Sequence, residues 1–65
     1  MINYNQKGFY FKEKFINWEN VELISTYKVD VYVYDEIILE FETSQFRYTF
    51  PESDENWMEF AQFVT

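Results

Sequence analysis

The chain has 65 residues, with no cysteine, no histidine, one glycine and one proline. Without cysteine there is no disulfide and no thiolate ligand. Without histidine the commonest zinc ligand and the usual general base are both missing. A single glycine, Gly8, cannot build a phosphate-cradling loop. Long apolar runs are also lacking: no window approaches the roughly 20 residues needed to span a bilayer. The N-terminal stretch MINYNQKGFYFKEK has no signal-peptide core. Basic residues are few, five against twelve acidic ones, for a net charge of −7. Such a surface repels phosphate backbones and the anionic cytoplasmic leaflet, which argues against direct nucleic-acid binding and against a membrane surface. The absence of cysteine fits a cytoplasmic location.

What the chain has in abundance is aromatic side chains. Eight Phe, six Tyr and two Trp make up a quarter of it. Each ring buries roughly 150–250 Å² when packed. That area lets residues 1–65 form one domain without a disulfide or metal staple, with residues 1–6 expected to fray. The charge is unevenly spread. Residues 1–18 carry Lys7, Lys12 and Lys14 against Glu13, a net of +2; residues 19–65 carry Lys28 and Arg47 against eleven acids, a net of −9. The acidity serves solubility, or it attracts a basic partner.

From Val21 to Val33 odd and even positions alternate, with β-branched and aromatic residues frequent, which predicts a strand, bent or bulged near Ser25-Thr26. Asp35-Glu36 interrupts the pattern at a hairpin position. Ile37, Leu39 and Phe41 alternate with Ile38, Glu40 and Glu42, Thr43-Ser44-Gln45 breaks the run, and Phe46, Tyr48 and Phe50 alternate again. Three such runs predict a β-meander. Val29/Val31/Val33, Ile37/Leu39/Phe41 and Phe46/Tyr48/Phe50 are expected to share its buried face. Pro51 ends the last strand. Ser53 is placed as a helix N-cap before Asp54 and Glu55. Trp57, Phe60, Ala61 and Val64 follow at helical spacing, and this stripe is expected to lie across the buried face. Phe9-Tyr10-Phe11 with Phe15 and Ile16 suggests one further strand or two short ones, with Gly8 at a turn or bulge. The expected class is α+β: an antiparallel meander of three to five strands with one C-terminal helix packed on one sheet face.

Catalysis finds little support. Ser25, Ser44 and Ser53 have no histidine to activate them and sit in strand, turn and cap settings. A carboxylate pair is conceivable, but Asp35-Glu36 reads as a turn and Glu40/Glu42 as a solvated strand face. Asp54, Glu55 and Glu59, or Asp30 with Glu40, lack the alternating ligands and glycine of a calcium loop, so capping and solvation explain them. No cofactor or metal is expected.

The second sheet face is the better candidate. Ile24, Tyr32, Tyr34 and Ile38 are expected on it among Thr26, Lys28, Asp30, Glu40 and Glu42, a mixture of apolar and charged groups typical of an interface. Either Phe9, Phe11 and Phe15 fold back to cover this face, or it is open to a partner. Trp18 is read as core or rim packing first and as a partner anchor second.

The run Ile16-Asn17-Trp18-Glu19-Asn20-Val21-Glu22-Leu23-Ile24, then Tyr27-Lys28-Val29-Asp30, Asp35 to Phe41 and the acidic turn Glu52 to Glu55 before a Trp/Phe helix, carries a resemblance. It is similar to small, uncharacterised bacterial proteins with a W-(D/E)-x-(I/V)-x-x-I-x-x-Y-K-x-D core, some of which resemble immunity proteins of toxin systems. The likeness spans roughly residues 16–64 and implies no catalytic residues. The resulting expectation is a non-enzymatic protein-binding domain with a basic partner, an immunity-type inhibitor being one form. The alternatives are a phage-type DNA mimic that inhibits a nucleic-acid-binding enzyme, and a homodimeric structural domain.

Overall fold

The computed structural model describes residues 1–65, with the side chain of Val31 outside the description. The elements run β1 (Gly8–Phe11), β2 (Lys14–Asn17), a 3-10 turn (Trp18–Asn20), β3 (Leu23–Val31), β4 (Tyr34–Glu42), β5 (Arg47–Pro51) and α1 (Trp57–Val64). β1 and β2 pair as an antiparallel hairpin, and β3, β4 and β5 form an antiparallel meander in that order. This is the α+β architecture expected, with the N-terminal aromatics forming two short strands.

In the first hairpin, alternation sends Phe9 inward and Tyr10 outward, and Phe9 pairs with Ile16, which is also buried. Lys12 in the connecting turn has φ of 59°, the left-handed region that side chains enter at a cost. Gly8 opens β1 opposite Asn17 and closes the turn before it, its carbonyl accepting from the Asn5 N–H at 2.8 Å. A Cβ on Gly8 would run into the carbonyl oxygen of Ile16, so close backbone approach is what excludes a side chain there.

The hairpin and α1 both pack on the same face of the meander. Phe9, Leu39, Phe41 and Phe60 are fully buried, and Ile2, Ile16, Tyr48, Phe50 and Trp57 complete the core. The Phe9 ring centroid lies 4.8 Å from that of Phe41, 5.7 Å from Tyr48 and 5.6 Å from Phe50. Trp57 donates its indole N–H to the Phe50 carbonyl at 2.7 Å, which satisfies its one polar atom inside the core. The chain start is held, not frayed. Ile2 is buried; its N–H donates to Asn56 Oδ1 at 2.7 Å, and Asn56 Nδ2 donates back to the Ile2 carbonyl at 2.8 Å. The Tyr4 ring packs against Phe60 in a tilted arrangement, with ring centroids 4.8 Å apart.

Three expectations are corrected. The second hairpin turns at Tyr32-Val33, with Val31 paired to Tyr34 and Asp35-Glu36 inside β4. A turn at Asp35-Glu36 would leave Leu23 to Lys28 without partners on β4; the observed turn pairs all nine residues of each strand. The face of β3 is also reversed. A two-residue turn pairs position i with i+3, so even residues of β3 stand opposite odd residues of β4: Ile24 opposite Phe41, Thr26 opposite Leu39, Lys28 opposite Ile37. Val29 therefore lies on the outer face, Val33 is exposed in the turn, and Val31 falls outside the described side chains. Leu39, Phe41, Tyr48 and Phe50 do share the buried face, joined by the half-buried Ile37, but Phe46 is exposed in the β4–β5 loop. Finally, α1 begins at Trp57 after Asn56, because Pro51 to Asn56 winds through turns in which Asp54 N–H donates to the Pro51 carbonyl and Trp57 N–H to the Asp54 carbonyl. Ser53 lies in those turns and does not cap the helix.

β5 pairs with β4 only from Ile38 to Glu42. Beyond that point Lys28 to Ile37 continues as a two-stranded arm whose tip, Tyr32-Val33, is exposed.

Candidate functional site

Because hairpin and helix cover one face of the meander, the other is open. Alternation places Leu23, Ser25, Tyr27 and Val29 of β3 on it, beside Tyr34, Glu36, Ile38, Glu40 and Glu42 of β4 and Arg47 and Thr49 of β5. Leu23, Tyr27 and Tyr34 are exposed there. Three carboxylates of β4 lie in line with these apolar groups. Glu42 is opposite Arg47, with Arg47 Nε 3.4 Å from Glu42 Oε1. Glu40 accepts the Tyr27 hydroxyl at 3.0 Å. That hydrogen bond, with burial and the Glu40 charge adding to it, holds the Tyr27 phenol above its ordinary value of 10.0. Glu36 takes part in no ion pair among the described residues.

The residues singled out from the sequence divide between three places. Tyr34, Ile38, Glu40 and Glu42 meet on the open face as expected. Tyr32 sits at the tip of the arm, fully exposed. Ile24 and Trp18 belong elsewhere: Ile24 is on the covered side opposite Phe41, and Trp18 is half-buried with its ring 5.1 Å from Phe9 and 5.6 Å from Phe41. The Trp18 N–H donates to the Asn5 carbonyl at 2.9 Å, the packing role given first to it. The face therefore gains Leu23, Tyr27 and Val29, which the reversed parity of β3 had hidden.

Ile24 and Trp18 come together in a second feature. An open groove of about 620 Å³ runs beside the start of β3, lined by Trp18, Val21, Leu23, Ile24, Phe63 and Val64 with Gln6 and Glu22 at its polar side. It lies where the C-terminal turn of α1 passes the edge of the meander. A third concavity, at the tip of the first hairpin, is flanked by Lys12 and Lys14, with Lys14 Nζ 4.7 Å from the Phe46 ring centroid.

The buried set is apolar, and no buried side-chain polar atom is left without a partner among the described residues. Among those residues no group of three or more His, Cys, Asp or Glu is placed to hold a metal ion. No helix is long and apolar enough to cross a membrane. The carboxylates are spread over several surfaces: Glu36, Glu40 and Glu42 are on the open face, Asp30 and Asp35 on the opposite side of the arm, Glu52 to Glu55 in the turns before α1 and Glu59 on the helix.

Compared with known protein families, curated proteins and solved structures, the chain matches none.

Proposed function

We propose that this chain is a non-enzymatic protein-binding domain that takes a basic partner on the open face of its meander. The observation that supports the reading is the placement of both covering elements on one side. A chain of this length cannot cover both sides of a sheet, and here Phe9 of the hairpin and Phe60 of the helix pack against the same residue, Phe41. The other side keeps Leu23, Tyr27, Tyr34 and Ile38 next to Glu36, Glu40 and Glu42. Apolar and aromatic groups supply contact area, and the glutamates select a partner of opposite charge and speed its approach. An immunity-type inhibitor of a basic toxin, acting in the cytoplasm, is a concrete form of this function.

The test is capture of a basic protein from host extract by the immobilised chain, followed by elution with increasing salt. Binding should weaken steadily as salt rises. The combined substitution Glu36→Lys, Glu40→Lys and Glu42→Lys should lower affinity by at least about tenfold. A control with Glu55→Lys and Glu59→Lys, away from this face, should retain it. Capture that ignores salt, or equal loss in both variants, would refute the reading.

A further inference from the structure

We propose that two copies of this chain pair edge to edge through β3, antiparallel about a two-fold axis at Val29, with the arm tip of each copy directed toward the groove of the other. The inference does not depend on the basic-partner reading, because its charged groups, Lys28 and Asp30, lie on the other side of the sheet from the glutamates of the open face.

β3 is an edge strand of nine residues, Leu23–Val31, with β4 on one side and no strand on the other. In an antiparallel ladder alternate residues point their N–H and C=O groups at the neighbour, so the remainder point away from the sheet. Edge strands of this length are ordinarily blunted by proline, a bulge or several charges. β3 has no proline and only Lys28 and Asp30 as charges. It is a template for another strand.

Charge decides which strand fits and in what register. The side chains of β3 on the covered side run Ile24, Thr26, Lys28, Asp30. A two-fold axis at Val29 sets Lys28 of each copy opposite Asp30 of the other, giving two equivalent ion pairs. Moving the axis to Lys28 sets lysine on lysine, and moving it to Asp30 sets aspartate on aspartate. An axis at Tyr27 leaves Asp30 opposite Ile24. Of these four registers only the first sets opposite charges against each other across the two-fold axis. It also relieves a fault within each copy. Asp30 is directly opposite Asp35 on β4, an unfavourable like-charge pair. Lys28 Nζ is 3.8 Å from Asp35 Oδ2, so Asp35 has a cation and Asp30 has none among the described residues. The second copy's lysine supplies one.

The same register also positions the arm tips. It sets Tyr32, the first turn residue of one copy, level with Thr26 of the other, where the ladder ends because each chain turns back at Tyr32-Val33. The tip Tyr32-Val33, with Val33 81% exposed, then points along the β3 edge toward Ile24, which lines the apolar groove with Val21, Phe63 and Val64. Each copy has both an exposed apolar tip and an unfilled apolar groove, and the pairing directs each tip toward the other copy's groove.

Sedimentation velocity at micromolar to submillimolar concentration and physiological ionic strength tests this. The native chain should sediment as a dimer. Lys28→Asp and Asp30→Lys should each shift the dimer dissociation constant upward by at least about tenfold. An equimolar mixture of those two variants should dimerise again, because each supplies the charges that the other needs, and the double variant Lys28→Asp/Asp30→Lys should dimerise by itself. Val33→Asp should also weaken the dimer. All three positions are exposed, and far-ultraviolet circular dichroism should report unchanged folding in every variant. A native chain that stays monomeric throughout the range overturns the proposal. So does a mixture of the single variants that remains monomeric, since that denies the register. Lys28 and Asp30 are absent from the open face, so loss of the dimer and loss of a basic partner are separate results.

Discussion

On the open face the Tyr27 phenol is held by the Glu40 carboxylate. Tyr27 donates its hydroxyl to Glu40 Oε1 at 3.0 Å, and the acceptor charge opposes ionisation of the phenol. The folded-state pKa is raised above the unfolded value of about 10. Its contribution to stability is therefore intact below pH 10 and is lost as pH rises through the folded value. Selective carbon-13 labelling of tyrosine should show Tyr27 titrating later than an ordinary phenol, and Glu40→Gln should move it back toward that value. Titration at the ordinary value in the native chain would mean that the bond does not persist in solution. At this scale the sequence was legible for some residues and silent for others. Trp57 and Phe60 were readable because a helical stripe announces its own face. The packing of Trp18 against Phe9 and Phe41 joins segments distant in the chain, so its first-ranked role could be argued only from general preference. Gly8 was visible as the lone glycine, yet the carbonyl of Ile16 that excludes a side chain there becomes evident only once β2 is paired.

Among the elements, the first hairpin contributes more to the core than its eight strand residues suggest. Phe9 is fully buried and its ring meets those of Trp18, Phe41, Tyr48, Phe50 and Phe60. It connects the hairpin, the meander and the helix. Phe9→Ala should cost about 3–5 kcal/mol, which is comparable to the whole stability a domain of this size usually has, roughly 3–5 kcal/mol. Urea denaturation should find this variant largely unfolded at room temperature, whereas Tyr10→Ala, on the outside of the same strand, should stay folded. A cooperative transition for Phe9→Ala near the native midpoint would show that the hairpin is not joined to the core in this way. The meander was readable as a set of alternating runs, and its β4–β5 pairing placed Leu39, Phe41, Tyr48 and Phe50 correctly. The fault lay in β3. Alternation tells which residues share a face within a strand, but the face chosen depends on the length and position of the next turn. Asp35-Glu36 has better turn chemistry than Tyr32-Val33, and the demand for backbone pairing along nine residues outweighs that preference.

For the molecule as a whole, charge and burial act on separate parts. The buried set contains no charged residue, and the two ion pairs, Lys28–Asp35 and Arg47–Glu42, are on the surface. Exposed pairs of this kind contribute about 0–1 kcal/mol each and lose little more than that when screened. Against them stands a net charge of −7, with nine of the excess negative charges after residue 18 and an excess of two positive charges before it. Repulsion among the acids opposes the compact state, and salt reduces it over distances beyond about 8 Å. Added sodium chloride should therefore raise the thermal midpoint, by about 2–6 °C if screening returns a sizeable fraction of 1 kcal/mol in a domain of this size. The measurement belongs at high dilution, where association between copies does not contribute. Partner binding on the open face should respond with the opposite sign, because there salt screens an attraction. A midpoint that falls as salt is added would mean that local ion pairs outweigh the collective repulsion. The glutamates of β4 would then be stabilising elements of the fold, not groups kept for a partner at some cost to it.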